Sequence, residues 1–240
     1  MAYSQITPIL GQVQQGYSWV VDNIQREILG TVIPSVDNYY GFGEFMYVQF
    51  AASSAIPSGT VVVISGFGGP LGHVASIAPN TANTGRSIGV AINAVPSLAS
   101  VQYGWVQISG NAVIRATASV AAGTTFGIDV TVAGSVAANT AGRQVLNAVS
   151  VAASTFTVVK TAQTLNGSPF IKFTDVSGFV LGVTLTGTGV SGTVSVIDYD
   201  NRTITSTANS TATGSTAVTG TYTGFIVGQI NRPILQGAIT

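Results

Sequence analysis

The chain has 240 residues, enough to bury roughly 70–75% of its unfolded surface in one or two domains. Only 7% of its residues are charged, eight basic and eight acidic for a net charge of +0, against about 25% in an average domain. With 46% hydrophobic residues the chain folds rather than staying disordered. Its singly scattered Lys and Arg argue against nucleic acid, and the absence of cysteine excludes disulfides and thiolate chemistry.

The first residues, Met1-Ala-Tyr-Ser-Gln-Ile, show no basic region leading into an apolar one, so no secretory signal is expected. Gly16 to Gly30 places Val20, Ile24 and Ile28 at i, i+4 and i+8. That spacing predicts one apolar face of a short helix, with Gly30 as its stop. The segment reads either as an arm lying on something else or as a cap on its own barrel.

From Tyr39 the period changes to two. Met46, Val48 and Phe50 alternate with Phe45 and Tyr47, the pattern of a strand. Pro57-Ser-Gly59 is a turn, Thr60 to Ser65 a β-branched strand, and Gly66 to Gly72 a glycine-rich loop. No charged residue occurs between Phe45 and Gly85, but Pro and Gly interrupt the stretch. No apolar block of membrane-spanning length survives, and no membrane partner is expected. Ser87–Asn93 is a further strand. Val101–Arg115 reads as two strands joined at Gly110-Asn111, residues that tolerate the positive φ of a tight hairpin. Val101, Tyr103 and Trp105 point one way and Val106 and Ile108 the other, so both faces are covered. Ala121-Ala-Gly123 turns into Thr124–Thr131, and strands at Gln144–Ala152 and Thr155–Thr161 follow. Short strands punctuated by Gly, Ser, Asn and Pro predict an all-β fold, a sandwich or barrel-like domain.

Between 162 and 223 the texture changes to Thr and Gly. Gly182 to Ile197 reads as strand, turn, strand; Asp198-Tyr-Asp-Asn201 as a tight turn; Arg202–Ser206 as a strand. From Gly224 to Leu235 the aliphatic texture returns. The expected organisation is an N-terminal arm or short helix (1–38), a β domain (39–161 with 224–240), and a small inserted β module (162–223).

The sequence offers little chemistry. His73 is the one histidine; with no cysteine or second histidine to share a metal or serve a triad, it reads as a loop residue. Gly187-Thr-Gly-Val-Ser-Gly192 matches a dinucleotide fingerprint in letters, but a strand follows where the phosphate-facing helix would have to start. Asp198 and Asp200 lack the further acids of a calcium loop and read as a β-turn. The aromatics Tyr39, Tyr40, Phe42, Phe45, Tyr47, Tyr103 and Trp105 are either a carbohydrate or protein-binding face or, the favoured reading, core and interface packing. No catalytic residue, metal site or cofactor is expected, and the protein is not expected to be an enzyme.

Several short motifs occur together in order: Leu29-Gly-Thr, Tyr40-Gly-Phe-Gly-Glu-Phe-Met-Tyr-Val48, Ala51-Ala-Ser-Ser-Ala55, Ile88-Gly-Val-Ala91, Gln102-Tyr-Gly-Trp-Val-Gln-Ile-Ser-Gly-Asn-Ala-Val113 and Asn231-Arg-Pro233. This set resembles the capsid decoration, or cement, proteins of tailed bacteriophages. The resemblance covers about residues 29–160 and 224–237, and the 162–223 segment departs from the short members like an inserted fibre-type module. It implies a virion protein made in the host cytoplasm that binds the outside of the head, bridges neighbouring capsomers of the major capsid protein, and acts as a homotrimer. The residues expected at contacts are Trp19, Ile24 and Ile28 of the arm, Tyr39, Tyr40, Tyr103 and Trp105, and Arg232. A low charge content fits a chain that lives in an assembly, because obligate interfaces are apolar and poor in charge. A fibre or receptor-binding and glycan-binding surface protein is the alternative.

Overall fold

The computed structural model describes residues 21–37, 39–51, 55–66, 72–97 and 101–238, with backbone alone for 3–5. The fold is all-β, and the described residues contain no helix. In chain order the strands are β1 (Tyr3–Gln5), β2 (Val32–Asp37), β3 (Gly41–Phe50), β4 (Val61–Ser65), β5 (Val74–Ile77), β6 (Ile88–Ala91), β7 (Gln102–Arg115), β8 (Phe126–Ile128), β9 (Val136–Ala138), β10 (Val145–Ala152), β11 (Thr155–Thr164), β12 (Phe170–Phe173), β13 (Thr184–Gly187), β14 (Val194–Asp198), β15 (Thr203–Ser206), β16 (Gly214–Thr223) and β17 (Phe225–Leu235). They fall into two compact units. One comprises Ser4–Val36, Gly41–Ser154 and Gly224–Thr240; the other Met1–Tyr3, Asp37–Tyr40 and Thr155–Thr223.

The first unit is built on a nine-stranded sheet in the order β1-β2-β3-β5-β4-β6-β7-β17-β10, with an additional pairing of β3 to β7. That pairing closes β3, β5, β4, β6 and β7 into a ring. Period-two alternation then sorts side chains between two cores. Val62 and Ile64 point into the ring with Val48, Phe50, Ala75, Ala91, Val106 and Ile108. Val61 and Val63 point the other way and join Ile88, Val90, Ala112, Ile114, Phe126, Ile128, Ile226 and Ile230 in a second, larger core. The unbroken run Val61–Ile64 is thus buried on both faces, which explains why it lacks a polar alternation. The ribbon β8–β9 supplies Phe126, Ile128 and Val136 to the second core.

The expected hairpin at Gly110-Asn111 is instead one continuous strand, β7. Its first half pairs with β3 and β6, and its second half, from Ser109 to Arg115, with β17. Gly110 has φ 92°, but the conformation serves a close crossing rather than a reversal. A Cβ there would lie 2.1 Å from the Phe42 carbonyl oxygen and 2.8 Å from Gly43 Cα. The register against β3 also slips at Glu44/Phe45, where Glu44 faces Ser109 and Phe45 faces Gln107. This β-bulge turns the strand from one partner to the next. The fully buried Gln107 side chain donates to the Ser109 and Asn111 carbonyls, 3.0 Å each, and so spends its amide on the strand's own backbone at the bend.

The expected helix also fails over its described part: residues 21–30 are irregular, and 16–20 lie outside the described residues. Asp22 exchanges both backbone hydrogen bonds with Tyr103 (3.0 and 2.7 Å), and the Gly30 N–H donates to the Tyr47 carbonyl (2.8 Å). A short segment has little intrinsic helicity, and here strand partners take up its backbone groups. The i, i+4 spacing did not mark a buried face, since Ile24 and Ile28 are 61% and 78% exposed.

The second unit carries a six-stranded sheet in the order β13-β16-β11-β12-β15-β14. The Val194 N–H donates to the Val183 carbonyl (2.9 Å) and Leu185 N–H to Gly192 (2.8 Å), so the start of β14 makes an isolated bridge back to β13. The longest pairing, β11 with β16, runs without a bulge from Thr155↔Thr223 to Thr164↔Gly214. Val158, Ala162, Val218 and Tyr222 face inward, and the alternate threonines face out. The segment Val176–Val183 fills the interior with Val176, Phe179, Val180 and Val183. The sequence reading missed β12 and β16. It read the turn at Asp198–Asn201 between β14 and β15, where the Asp198 carboxylate accepts from Asn201 N–H (2.9 Å) and Asn201 Nδ2 (2.8 Å).

Candidate functional site

The chemical candidates resolve into structural parts. His73 has φ 68°, and its ring packs on the backbone of Gly30, where an added Cβ would come within 2.3 Å of Cε1. Gly187 pairs across a tight turn with Val190, and the turn leads on toward β14, with no helix following. Most of the Gly66–Gly72 loop lies outside the described residues. Among the described residues no group of three or more His, Asp or Glu could hold a metal. Asp129 accepts from Thr117 Oγ1, Thr131 N and Oγ1, and Val132 N at 2.5–2.7 Å. Those hydroxyl bonds, the Thr117 one first, hold its carboxyl well below the usual range. Such a carboxylate ties a loop and is spent as a proton carrier.

In the second unit, Lys160 reaches inward from β11 to ion-pair with Asp175 and donate to Ser177 Oγ (2.8 Å). Burial works to raise the Asp175 pKa, but the bonds from Lys160 and Ser177 outweigh it and the net shift is downward. The Tyr40 and Tyr222 hydroxyls both donate to the Gly178 carbonyl, and burial raises the Tyr222 pKa. These groups fix the interior segment; they face one another rather than a cleft.

What remains is surface. Residues 21–31 form an irregular strap bonded to Tyr103 and Tyr47, whose rings group with that of Trp105. Tyr47 and Trp105 rings meet at 5.0 Å, and Tyr47 stacks with Tyr103 at 6.5 Å. The Tyr47 hydroxyl accepts from Arg26 N–H (3.0 Å), and burial pushes its pKa up. Trp105 is 3% exposed, so it belongs to the core and not to a free contact face. On the outer side of the strap, Ile24 and Ile28 stand in solvent beside the ion pair of Asp22 and Arg26. The Arg26 side chain, followed by the Ile24 N–H, lowers the Asp22 pKa.

The other expected contact residues divide the same way. Tyr40 is buried in the second unit, where it meets the half-exposed Tyr39 edge to face at 5.0 Å. Tyr103 is half-buried. Arg232 is exposed and pairs with Glu44 at 3.2 Å. Trp19 lies outside the described residues. The aromatic set as a whole is therefore not a stacking face: Tyr40, Phe45, Tyr47 and Trp105 are buried, and Tyr39 and Phe42 are exposed. Sequence reasoning had no means of separating these, because all seven sit on strands or turns with the same texture. Val32, exposed on β2, was not singled out as a contact, whereas Phe42, exposed on β3, belonged to the aromatic set weighed as a binding face.

Compared with protein-family models, curated proteins and solved structures, the chain matches none.

Proposed function

We propose that the protein is a structural component of a phage virion, a decoration protein that binds the outside of the head and bridges capsomers of the major capsid protein. The observation that carries this reading is the convergence of the motifs behind the resemblance. The Tyr40–Val48 motif supplies most of β3, and the Gln102–Val113 motif supplies most of β7. These strands pair with each other, Tyr47 opposite Trp105 and Gly43 opposite Gly110. The Ile88–Ala91 motif is β6, paired to β7 at Val90↔Gln107. The Asn231-Arg-Pro motif lies on β17, with Asn231 opposite Ser109 and Arg232 on Glu44. Motifs far apart in sequence thus specify one crossing of strands.

The surface supports the same reading. Two isoleucines stand exposed on a strap that lacks regular structure, on a chain of net charge +0. Binding without chemistry needs apolar area and little charge to desolvate. The contacts to the capsid run through Ile24 and Ile28, and the protein acts as a homotrimer without catalysis or cofactor.

The test is binding to heads that lack the protein, read by electron microscopy and co-sedimentation. The wild-type chain is expected to add knobs to the head surface. The Ile24→Asp, Ile28→Asp double variant is expected to stay folded, by circular dichroism, and to lose binding at least tenfold, because burying an unpaired carboxylate at an interface costs more than about 1.4 kcal/mol. Absence of wild-type binding to any head preparation sinks the proposal; full binding by the double variant removes the strap from it.

A further inference from the structure

We propose that Asn166 is a site of spontaneous covalent modification, at which the side-chain amide converts through a cyclic imide with Gly167 to aspartate and isoaspartate. The inference is independent of the virion reading. In the reaction the Gly167 main-chain nitrogen, after giving its proton to solvent, attacks Asn166 Cγ. A carbon–nitrogen bond forms and the side-chain nitrogen leaves as ammonia. Water then opens the five-membered imide at one carbonyl to leave aspartate, or at the other to leave isoaspartate. Water is the only co-reactant.

The chemistry needs an asparagine whose neighbour has no side chain, a solvated site, and backbone room to fold the amide over the following nitrogen. Asn166 is the one asparagine in the sequence that precedes a glycine. Both residues are exposed, in the turn between β11 and β12. Gly167 has φ 81°, and a Cβ built on it meets nothing within 4 Å. The side chain of the following residue is the usual obstacle to ring closure, and here both that side chain and any packed neighbour are missing.

The turn is not loose, and its tethers set the rate. The Gly167 N–H donates to the Ser210 carbonyl (2.8 Å), Ser210 N–H to the Ser168 carbonyl (2.8 Å), and Asn166 N–H to Thr213 Oγ1 (2.9 Å). The Gly167 bond must open before its nitrogen can attack. One net backbone hydrogen bond slows the step by about fivefold relative to a free chain.

The product alters the surface. It adds a negative charge to a chain whose net charge is +0, next to Leu165 and close to Phe170, two of the most exposed apolar side chains of the second unit. Isoaspartate also lengthens the main chain by one carbon inside a turn whose flanking strands are registered at Gln163↔Lys172. A protein that persists for long periods would accumulate both changes at this end of the sheet.

The experiment incubates the full-length protein at mildly alkaline pH beside a synthetic peptide spanning Gln163–Phe170, which serves as a clock. Intact mass, peptide mapping and enzymatic methylation of isoaspartate follow both. Conversion at Asn166, about fivefold slower than in the peptide and absent from Asn166→Gln, is the expected result. The proposal is overturned if Asn166 stays intact for several half-lives after the peptide is fully converted. It is equally overturned if Asn166→Gln gains the isoaspartate label as fast as the wild type.

Discussion

Replacing Gly110 by alanine tests the crossing of β3 and β7 on which the first unit depends. Two effects add. A non-glycine residue at φ 92° costs about 1–2 kcal/mol for the left-handed backbone. The new Cβ, 2.1 Å from the Phe42 carbonyl oxygen, forces the strands apart at an overpacking cost of about 1–3 kcal/mol. The expected loss is therefore about 2–5 kcal/mol. Gly41→Ala is the control: Gly41 has φ 84° but nothing lies within 4 Å of its Cβ position, so only the backbone cost of about 1–2 kcal/mol remains. Urea unfolding followed by tryptophan fluorescence measures both, since Trp105, buried in β7, reports on the first unit. If the two variants lose the same stability within about 0.5 kcal/mol, the close crossing is not what requires glycine at 110.

Three further predictions concern the packing and polar groups. Trp105→Ala is expected to cost about 3–5 kcal/mol and to unfold the first unit in urea; a fully stable chain that merely sediments more slowly would mean Trp105 serves subunit contact instead. Asp129→Asn should cost about 1–2 kcal/mol at neutral pH, a figure kept low because the loop lies near solvent. The folded-state pKa of Asp129 is depressed, so its contribution is full above the unfolded value of about 3.9 and lost as pH falls through the folded one. Wild type and variant should accordingly converge in stability as the pH is taken from 5 toward 2, a range set by about 3.9 as its upper reference, and a constant gap would refute the assignment. Ser210 is buried with a hydroxyl that has no hydrogen-bond partner among the described residues, so Ser210→Ala should be neutral or stabilising by up to about 1 kcal/mol in calorimetry; a clear loss would reveal a partner.

Strand content, strand spacing and many turns were readable from local chemistry alone. Alternation at Met46, Val48 and Phe50, the β-branched run at 61–64 and the Asp198–Asn201 turn each depend on residues close in sequence, and they appear where the pattern places them. The residue types available for chemistry were equally readable: the sequence holds one histidine and no cysteine.

Other features turned on partners distant along the chain. Gly110-Asn111 has the composition of a hairpin turn, but positive φ is compatible with either a reversal or a close crossing. The Phe42 carbonyl, brought there by β3, makes it a crossing. The spacing of Val20, Ile24 and Ile28 fits a helix, yet Tyr103 and Tyr47 offer backbone partners that hold 21–30 as a strap. Whether Trp105 or Ile28 faces solvent was likewise beyond local pattern, because burial is a property of what packs above a residue. Hydrogen-bonding capacity and side-chain alternation are local; which donor meets which acceptor is settled only when the ring of β3, β5, β4, β6 and β7 closes.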